Sequence, residues 1–440
     1  MANAEPKQKL GLWTSTSLVI GNMIGAGVFL LPAAMASYGS IGLLGWLFAG
    51  IGSFFLAKVF SNLSKLMPDA TGGPYAFSQR GLGDFAGFLV SWGYYISNAG
   101  GNAAITISFI SAMSTFFPIL ATSKFVASAT GFTAVWLLAY INTLGVVTSG
   151  KLQLVTTVLK IAPLVLVAFG GLFFIHLSNF HPFNSSGTSV FAAISTTAAL
   201  TMFSYFGIEC ASIPAGDVAN PEKTIARATM LGLLITAFIY ILGSASVMGM
   251  IPAKTLEHSL TPYADAAAII YGPNARYWIS AGMAIAAFGC LNGWTLVQGQ
   301  VPYATAKDKL FPAVFGYVNK RGVPWVGIMG NAVLISLFIL MNYSKGLVDM
   351  FKFLLLFSTL TSLVPFLFSV AAYPIIRAKK KLSHGWTGAL VITFFAFVYT
   401  LWAIAGTGQD AVFYGFMFMM TGLPLYMWLV YKRDKDLEKT

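Results

Sequence analysis

Apolar runs long enough to cross a bilayer recur along the whole chain, and that repetition decides the fold class before any single residue is considered. A span needs about 20 consecutive, mainly apolar residues. Runs of this kind fall at approximately 12–36, 41–66, 85–112, 125–143, 152–175, 191–214, 226–250, 277–305, 325–342, 347–374, 387–405 and 412–431. They are continuous and aromatic-rich, without the alternation of an outer-membrane barrel. In lipid the backbone must then be satisfied within helices. With 57% hydrophobic and 9% charged residues over 440 positions, the chain also lacks the polar groups to cover a soluble globule. The expectation is an all-α polytopic membrane protein of twelve transmembrane helices, forming one transporter domain over residues 1–440. Lys7 and Lys9 precede the first run, and residues 32–36 loosely resemble a cleavage site, but the run is too long for a signal peptide.

The net charge of +12 would suggest nucleic acid in a soluble protein. Here the basic residues lie between spans, so they report topology, and no nucleic-acid partner is expected. With the amino terminus cytoplasmic, nineteen of the 26 lysines and arginines fall on the inner side. Only Lys124, Lys254, Arg276, Lys345 and Lys352 fall outside. That bias predicts a multi-pass protein of the cytoplasmic membrane with both termini inside. Lys58 lies close enough to the inner end of the second span to snorkel.

Two charges remain well inside spans, Lys160 in the fifth and Glu209 in the sixth. An ionisable group at that depth costs at least a few kcal/mol, roughly, and normally faces a cavity or a partner, so both are candidate functional residues. Other chemistries find no support. Cys210 and Cys290 both sit in apolar runs, which suggests neither a disulfide framework nor a metal cage. His176, His181, His258 and His384 lie in loops or at span ends without metalloprotease spacing, and no nucleophile–base pair is legible, so no metal, cofactor or enzymatic activity is expected. Neither a filter-like loop nor a charged ring points to a channel.

The first span contains Gly21-Asn22-Met23-Ile24-Gly25-Ala26-Gly27-Val28-Phe29, and the sixth contains Phe203-Ser204-Tyr205-Phe206-Gly207-Ile208-Glu209. They lie five spans apart. Corresponding interruptions in two halves of a chain point to the site of an inverted-repeat transporter, which predicts repeats over 12–175 and 191–374 with the last two helices, 387–431, peripheral. Glycines tolerate non-helical dihedrals. Free amides at Ala26 and Gly27 would face a carboxylate at the start of the outer half-helix. Carbonyls released at Met23, Phe203 and Phe206 would accept from an ammonium. Taken alone, Gly21-x-x-x-Gly25 also serves close helix packing; the second break and the neighbouring Glu209 favour a site.

At these residues the sequence resembles the amino acid–polyamine–organocation superfamily, and within it the bacterial arginine/agmatine antiporter and basic amino acid and polyamine exchangers. The motifs that carry the resemblance are Gly21 to Pro32, Phe206-Gly207-Ile208-Glu209, Asp217 to Lys223, and Gly293 to Gln300. The resemblance implies a sodium-independent fold of the leucine-transporter type, with 5+5 inverted repeats, helices 1 and 6 unwound at mid-membrane, and often a homodimer through the last two helices. It implies that Gly25-Ala26-Gly27 receives the substrate carboxylate, with alanine in place of the family's serine. Phe203 falls where the antiporter has a tryptophan that closes over the substrate, and Trp294 matches a tryptophan lining the pocket. Tyr94 and Asn102 in the third span match residues of the outer gate and of side-chain recognition, with Asn98 between them a further candidate for substrate binding; Ser358 matches a serine in the tenth, and Phe366 replaces a gating tyrosine. Glu209 matches the glutamate that makes transport pH-sensitive, placed to take up and release a proton as the site opens and closes. Lys160 departs from the arginine antiporter and resembles the lysine of proton-coupled amino acid symporters, where an ammonium replaces a sodium ion and tethers helix 1 to helix 8.

The resulting expectation is a secondary active transporter that exchanges a basic amino acid for another amino acid or its decarboxylated amine, its partners being that small molecule and the bilayer. Proton-coupled symport of neutral amino acids is the runner-up, favoured by Lys160 and by Phe203 in place of tryptophan.

Overall fold

The computed structural model describes residues 11–25, 27–68, 70, 72–144, 159–210, 218–341, 345–382 and 384–437. Ala26, Asp217 and the start of the expected fifth span therefore lie outside the described residues. Described residues form helices and turns, with no sheet among them. The main helices are α1 (Leu12–Met23), α2 (Gly27–Ala36), α3 (Gly42–Leu66), α4 (Pro74–Leu82), α5 (Asp84–Met113), α6 (Lys124–Thr143), α7 (Leu159–Phe174), α8 (Val190–Met202) and α9 (Pro221–Met250). They continue with α10 (Pro262–Tyr271), α11 (Ala275–Lys307), α12 (Trp325–Met341), α13 (Leu347–Lys379), α14 (Trp386–Gly406), α15 (Gln409–Met420) and α16 (Gly422–Leu437).

Among the described residues, eight helices are long and apolar enough to cross a membrane, and α7, α8 with its following turn, and α12 are shorter apolar helices. The 30-residue α5 falls outside those eight. Its length suffices, but Ser91, Ser97, Asn98, Asn102, Ser108 and Ser111 run along it, all buried in protein. A helix that meets no lipid can spend its surface on polar groups. The opposite case is α14, where Phe394, Phe395, Val398 and Leu401 are exposed, as an outward-facing apolar stripe in lipid requires.

Local sequence sets the helix starts that matter for the site. Ser189 caps α8 by accepting from the amide of Ala192 at 3.2 Å. Asn220-Pro221 opens α9: asparagine takes the left-handed conformation at φ 46°, and proline occupies the first helical position, where no amide is needed.

α5 stands at the centre, paired along its length with α13 and α11, while α1, α3, α8 and α9 pack as a second group. At the end where α1 begins, polar contacts latch α4 to the ends of α11 and α13, and α5 to α11. Tyr75 donates to Asp308 Oδ2 at 2.7 Å, the Ser91 and Thr305 hydroxyls meet at 2.6 Å, and Lys379 donates to the carbonyls of Arg80 and Gly81. Burial, reinforced by the Asp308 carboxylate, pushes the Tyr75 phenol far above its usual range, so it stays a donor. At the opposite end the segment after α7 folds over the turn between α2 and α3, with the Ile41 amide donating to the Phe183 carbonyl at 2.9 Å.

Candidate substrate site

The first expected span is two helices. α1 stops at Met23, Ile24 leaves the helical region at ψ 82°, and α2 begins at Gly27. Three other helices hold this gap. Lys160 on α7, fully buried, donates its ammonium to the Gly21 carbonyl. Tyr240 on α9 donates to the Met23 carbonyl at 2.5 Å, and the Gly25 amide reaches the same oxygen at 2.7 Å. Cys290 on α11 fills the space beside Gly25, where a Cβ would stand 2.6 Å from its sulfur. The Met23 carbonyl, expected to accept a substrate ammonium, thus has both lone pairs occupied by the protein. That expectation is corrected: Met23 contributes only to the wall of the site.

The sixth span is interrupted as well. After Met202 the chain tightens into a 3-10 turn over Phe203–Tyr205, Phe206 is extended, and Gly207 adopts φ 112°. No other residue type fits at Gly207: that φ is the glycine region, and a Cβ would lie 3.0 Å from the Met23 amide. The two breaks therefore touch each other. Glu209 is buried and closes the turn with its own carboxylate, Oε2 accepting from the Gly207 amide at 3.0 Å and Oε1 from Tyr94 of α5 at 2.8 Å.

Between the breaks lies a small cavity with about 30 Å³ of water-accessible space, room for little more than a water or two as it stands. Met23, Gly25, Gly27, Tyr94, Asn98, Asn102, Phe203, Phe206, Trp294 and Ser358 line it. Among the described residues, none that lines it carries a charge. Asn98 spends its amide nitrogen on the Tyr94 carbonyl at 2.9 Å. Asn102 is different: it is 1% exposed, and neither Oδ1 nor Nδ2 has a partner among the described residues. A buried amide in that state awaits a ligand or water. The Phe203 ring roofs the cavity, its edge close to Gly27 and Gly101, where a Cβ would meet it at 3.1 Å in each case. These glycines on α2 and α5 let the ring lie flat between the helices.

Lys160, Glu209 and Phe366 do not line the cavity. Lys160 and Glu209 stand behind it and fix its walls. Phe366 acts through Phe206, with ring centroids 5.6 Å apart. Ala26 lies outside the described residues. Sequence reasoning missed Asn22, Ser97, Gly101, Ile105, Ser204, Cys290 and Ser362 in the lining, and Tyr240 behind it. Helical spacing could have found several, since Ser97, Gly101, Cys290 and Ser362 lie three or four residues from lining residues named in advance. Ser97 also ties α5 to α13, its hydroxyl lying 3.1 Å from that of Ser358 and touching that of Ser362. Nothing in the sequence marks Tyr240 among the other buried aromatics.

A helical bundle with a cavity between two interrupted, mutually contacting helices is the build of a secondary membrane transporter, whose substrate reaches unwound backbone at the core. The chain belongs to the amino acid permease family, whose model matches residues 10–437. A cadaverine/lysine antiporter of Escherichia coli is 33% identical over 82% of each chain. The putrescine transporter PotE of Haemophilus influenzae is 28% identical over 97% of this chain and 98% of its own. An arginine/agmatine antiporter of Chlamydia trachomatis is 28% identical over 96% of this chain and 90% of its own.

Proposed function

We propose that this protein exchanges a basic amino acid across the cytoplasmic membrane for another amino acid or its decarboxylated amine, by alternating access around the cavity between the two breaks. The observation that carries this reading is Asn102, an amide with both ends unpartnered in a cavity roofed by Phe203 and walled by Trp294. The substrate carboxylate sits at the start of α2, on the amide of Gly27, which lines the cavity. Its ammonium takes the Phe206 carbonyl and the remaining lone pair of the Phe203 carbonyl, which already accepts from the Phe206 amide at 3.2 Å. A cationic side chain meets the Phe203 and Trp294 rings and the Asn102 oxygen, which suits a lining without a carboxylate. Glu209 couples a proton to rearrangement of the turn it closes, Tyr94 relays that change to α5, and Phe366 supports the gate through Phe206. The named substrates of the relatives, all basic amino acids or amines, favour this class.

The accompanying architecture is a twelve-span, 5+5 inverted-repeat fold with repeats over 12–175 and 191–374, segments 387–431 at the periphery, both termini cytoplasmic, and a homodimer through the last two helices. The spacing of the two breaks supports the repeats and the basic-residue bias the orientation, while the homodimer rests on the family resemblance.

One observation favours a second reading, proton-coupled symport of neutral amino acids: the Lys160 ammonium occupies the backbone of the first break, as a coupling cation would. Purified protein in liposomes separates the two. Vesicles loaded with arginine, lysine, ornithine, agmatine or cadaverine should take up labelled arginine or lysine only against an internal substrate. Strong uptake into empty vesicles driven by a proton gradient alone would overturn the exchanger.

A further inference from the structure

We propose that Gln298, on α11, is a polar step on the substrate's release path, between the cavity and the end of the molecule where α1 begins. The inference rests on the exchanger reading of the cavity and assigns its exit.

Gln298 lies four residues beyond Trp294, on the same helix face and about 6 Å further along the axis. It is 1% exposed, and neither Oε1 nor Nε2 has a hydrogen-bond partner among the described residues. On α1, which touches α11, Ser15 is fully buried with an unpartnered hydroxyl. It precedes the cavity-lining Asn22 by seven residues, which is two turns on one face and roughly 10 Å. Unpartnered polar atoms thus descend from the cavity on two touching helices. Two turns past Gln298, again on its face, comes Thr305, whose hydroxyl is locked to Ser91 beside the Tyr75–Asp308 contact. That latch holds α4 and α5 against the end of α11, beyond Gln298.

A buried amide left without partners raises the free energy of the state that buries it. Opening the latch admits water and substrate to Gln298 and removes that cost, so the orphaned amide favours opening toward this end. Its oxygen accepts from an ammonium or guanidinium and its nitrogen donates to a carboxylate, which fits both a basic amino acid and its decarboxylated amine.

The test compares Gln298→Leu, Gln298→Asn and Gln298→Cys. Gln298→Leu should bind arginine and lysine with parental affinity in detergent yet exchange them roughly tenfold slower in liposomes, and Gln298→Asn should recover most of that rate. In Gln298→Cys, mass spectrometry of the peptide carrying position 298 should find a membrane-impermeant methanethiosulfonate adduct in inside-out vesicles and not in spheroplasts, increasing with added arginine. Parental exchange by Gln298→Leu, loss of binding in step with exchange, or a position 298 that never reacts from the inner face overturns the proposal. Should the parental protein exchange none of arginine, lysine, putrescine or cadaverine while position 298 still reacts from inside, the exchanger reading fails and the path stands.

Discussion

Around Met23 the chain is held from outside: an ammonium from α7, a phenol from α9 and a sulfur from α11 each occupy part of the gap. Around Gly207 it is held largely from within, by the carboxylate two residues on and by one hydroxyl from α5. Both are interruptions of an apolar helix by glycine, and both leave backbone groups that the membrane cannot satisfy. The first is a cradle pinned by three helices that must all move to change it. The second depends on an ionisable group at its own centre, and Phe203, at the start of the same break, roofs the cavity. Under the proposed function, that difference would suit the first break to holding what all substrates share and the second to the moving gate.

Lys160→Met is the strongest way to break that comparison. It removes the clamp on the first break, and arginine exchange in liposomes should fall roughly 100-fold, equivalent to about 3 kcal/mol in the barrier. Expression and thermal stability in detergent should fall far less, and exchange at the parental rate would show that the first break needs no external clamp. Glu209→Gln acts on the other side. The amide can keep both contacts by accepting from the Gly207 amide and donating to the Tyr94 hydroxyl, so fold and binding should persist while exchange measured from acidic to alkaline pH becomes flat. A pH profile like the parent's would remove the proton from the gate.

Smaller effects sharpen the division of labour. Phe203→Ala removes a ring from above the cation, about 0.5–2 kcal/mol, and should weaken arginine binding by calorimetry roughly 2- to 30-fold while sparing a neutral amino acid such as alanine. Equal losses for both ligands would make the ring a lid without selectivity. Tyr240→Phe removes one of the two donors to the Met23 carbonyl, about 1 kcal/mol. It should slow exchange only several-fold without changing which substrates are taken, because the Gly25 amide still holds that oxygen.

Legibility followed the kind of interaction. The breaks could be read because glycine in an apolar run has a local, steric meaning, and the helix does stop at Met23 and restart at Gly27. Lys160 and Glu209 could be singled out because a charge in lipid is costly wherever the fold puts it. Their partners could not. Gly21 and Tyr94 lie 139 and 115 residues from them, and no local pattern carries such a pairing. The Met23 carbonyl was misread for the same reason: a break frees a carbonyl, but Tyr240, 217 residues away, takes it.

By itself, then, the sequence determined a helical membrane protein, two interrupted helices and two buried ionisable residues, because apolar run length, glycine sterics and the cost of charge in lipid act at short range. Tertiary structure alone decided that the two breaks touch, that Asn102 keeps its amide free while Asn98 spends its own, and that Phe203 finds a seat between Gly27 and Gly101. Those outcomes depend on where helices far apart in the chain meet, and only packing fixes that.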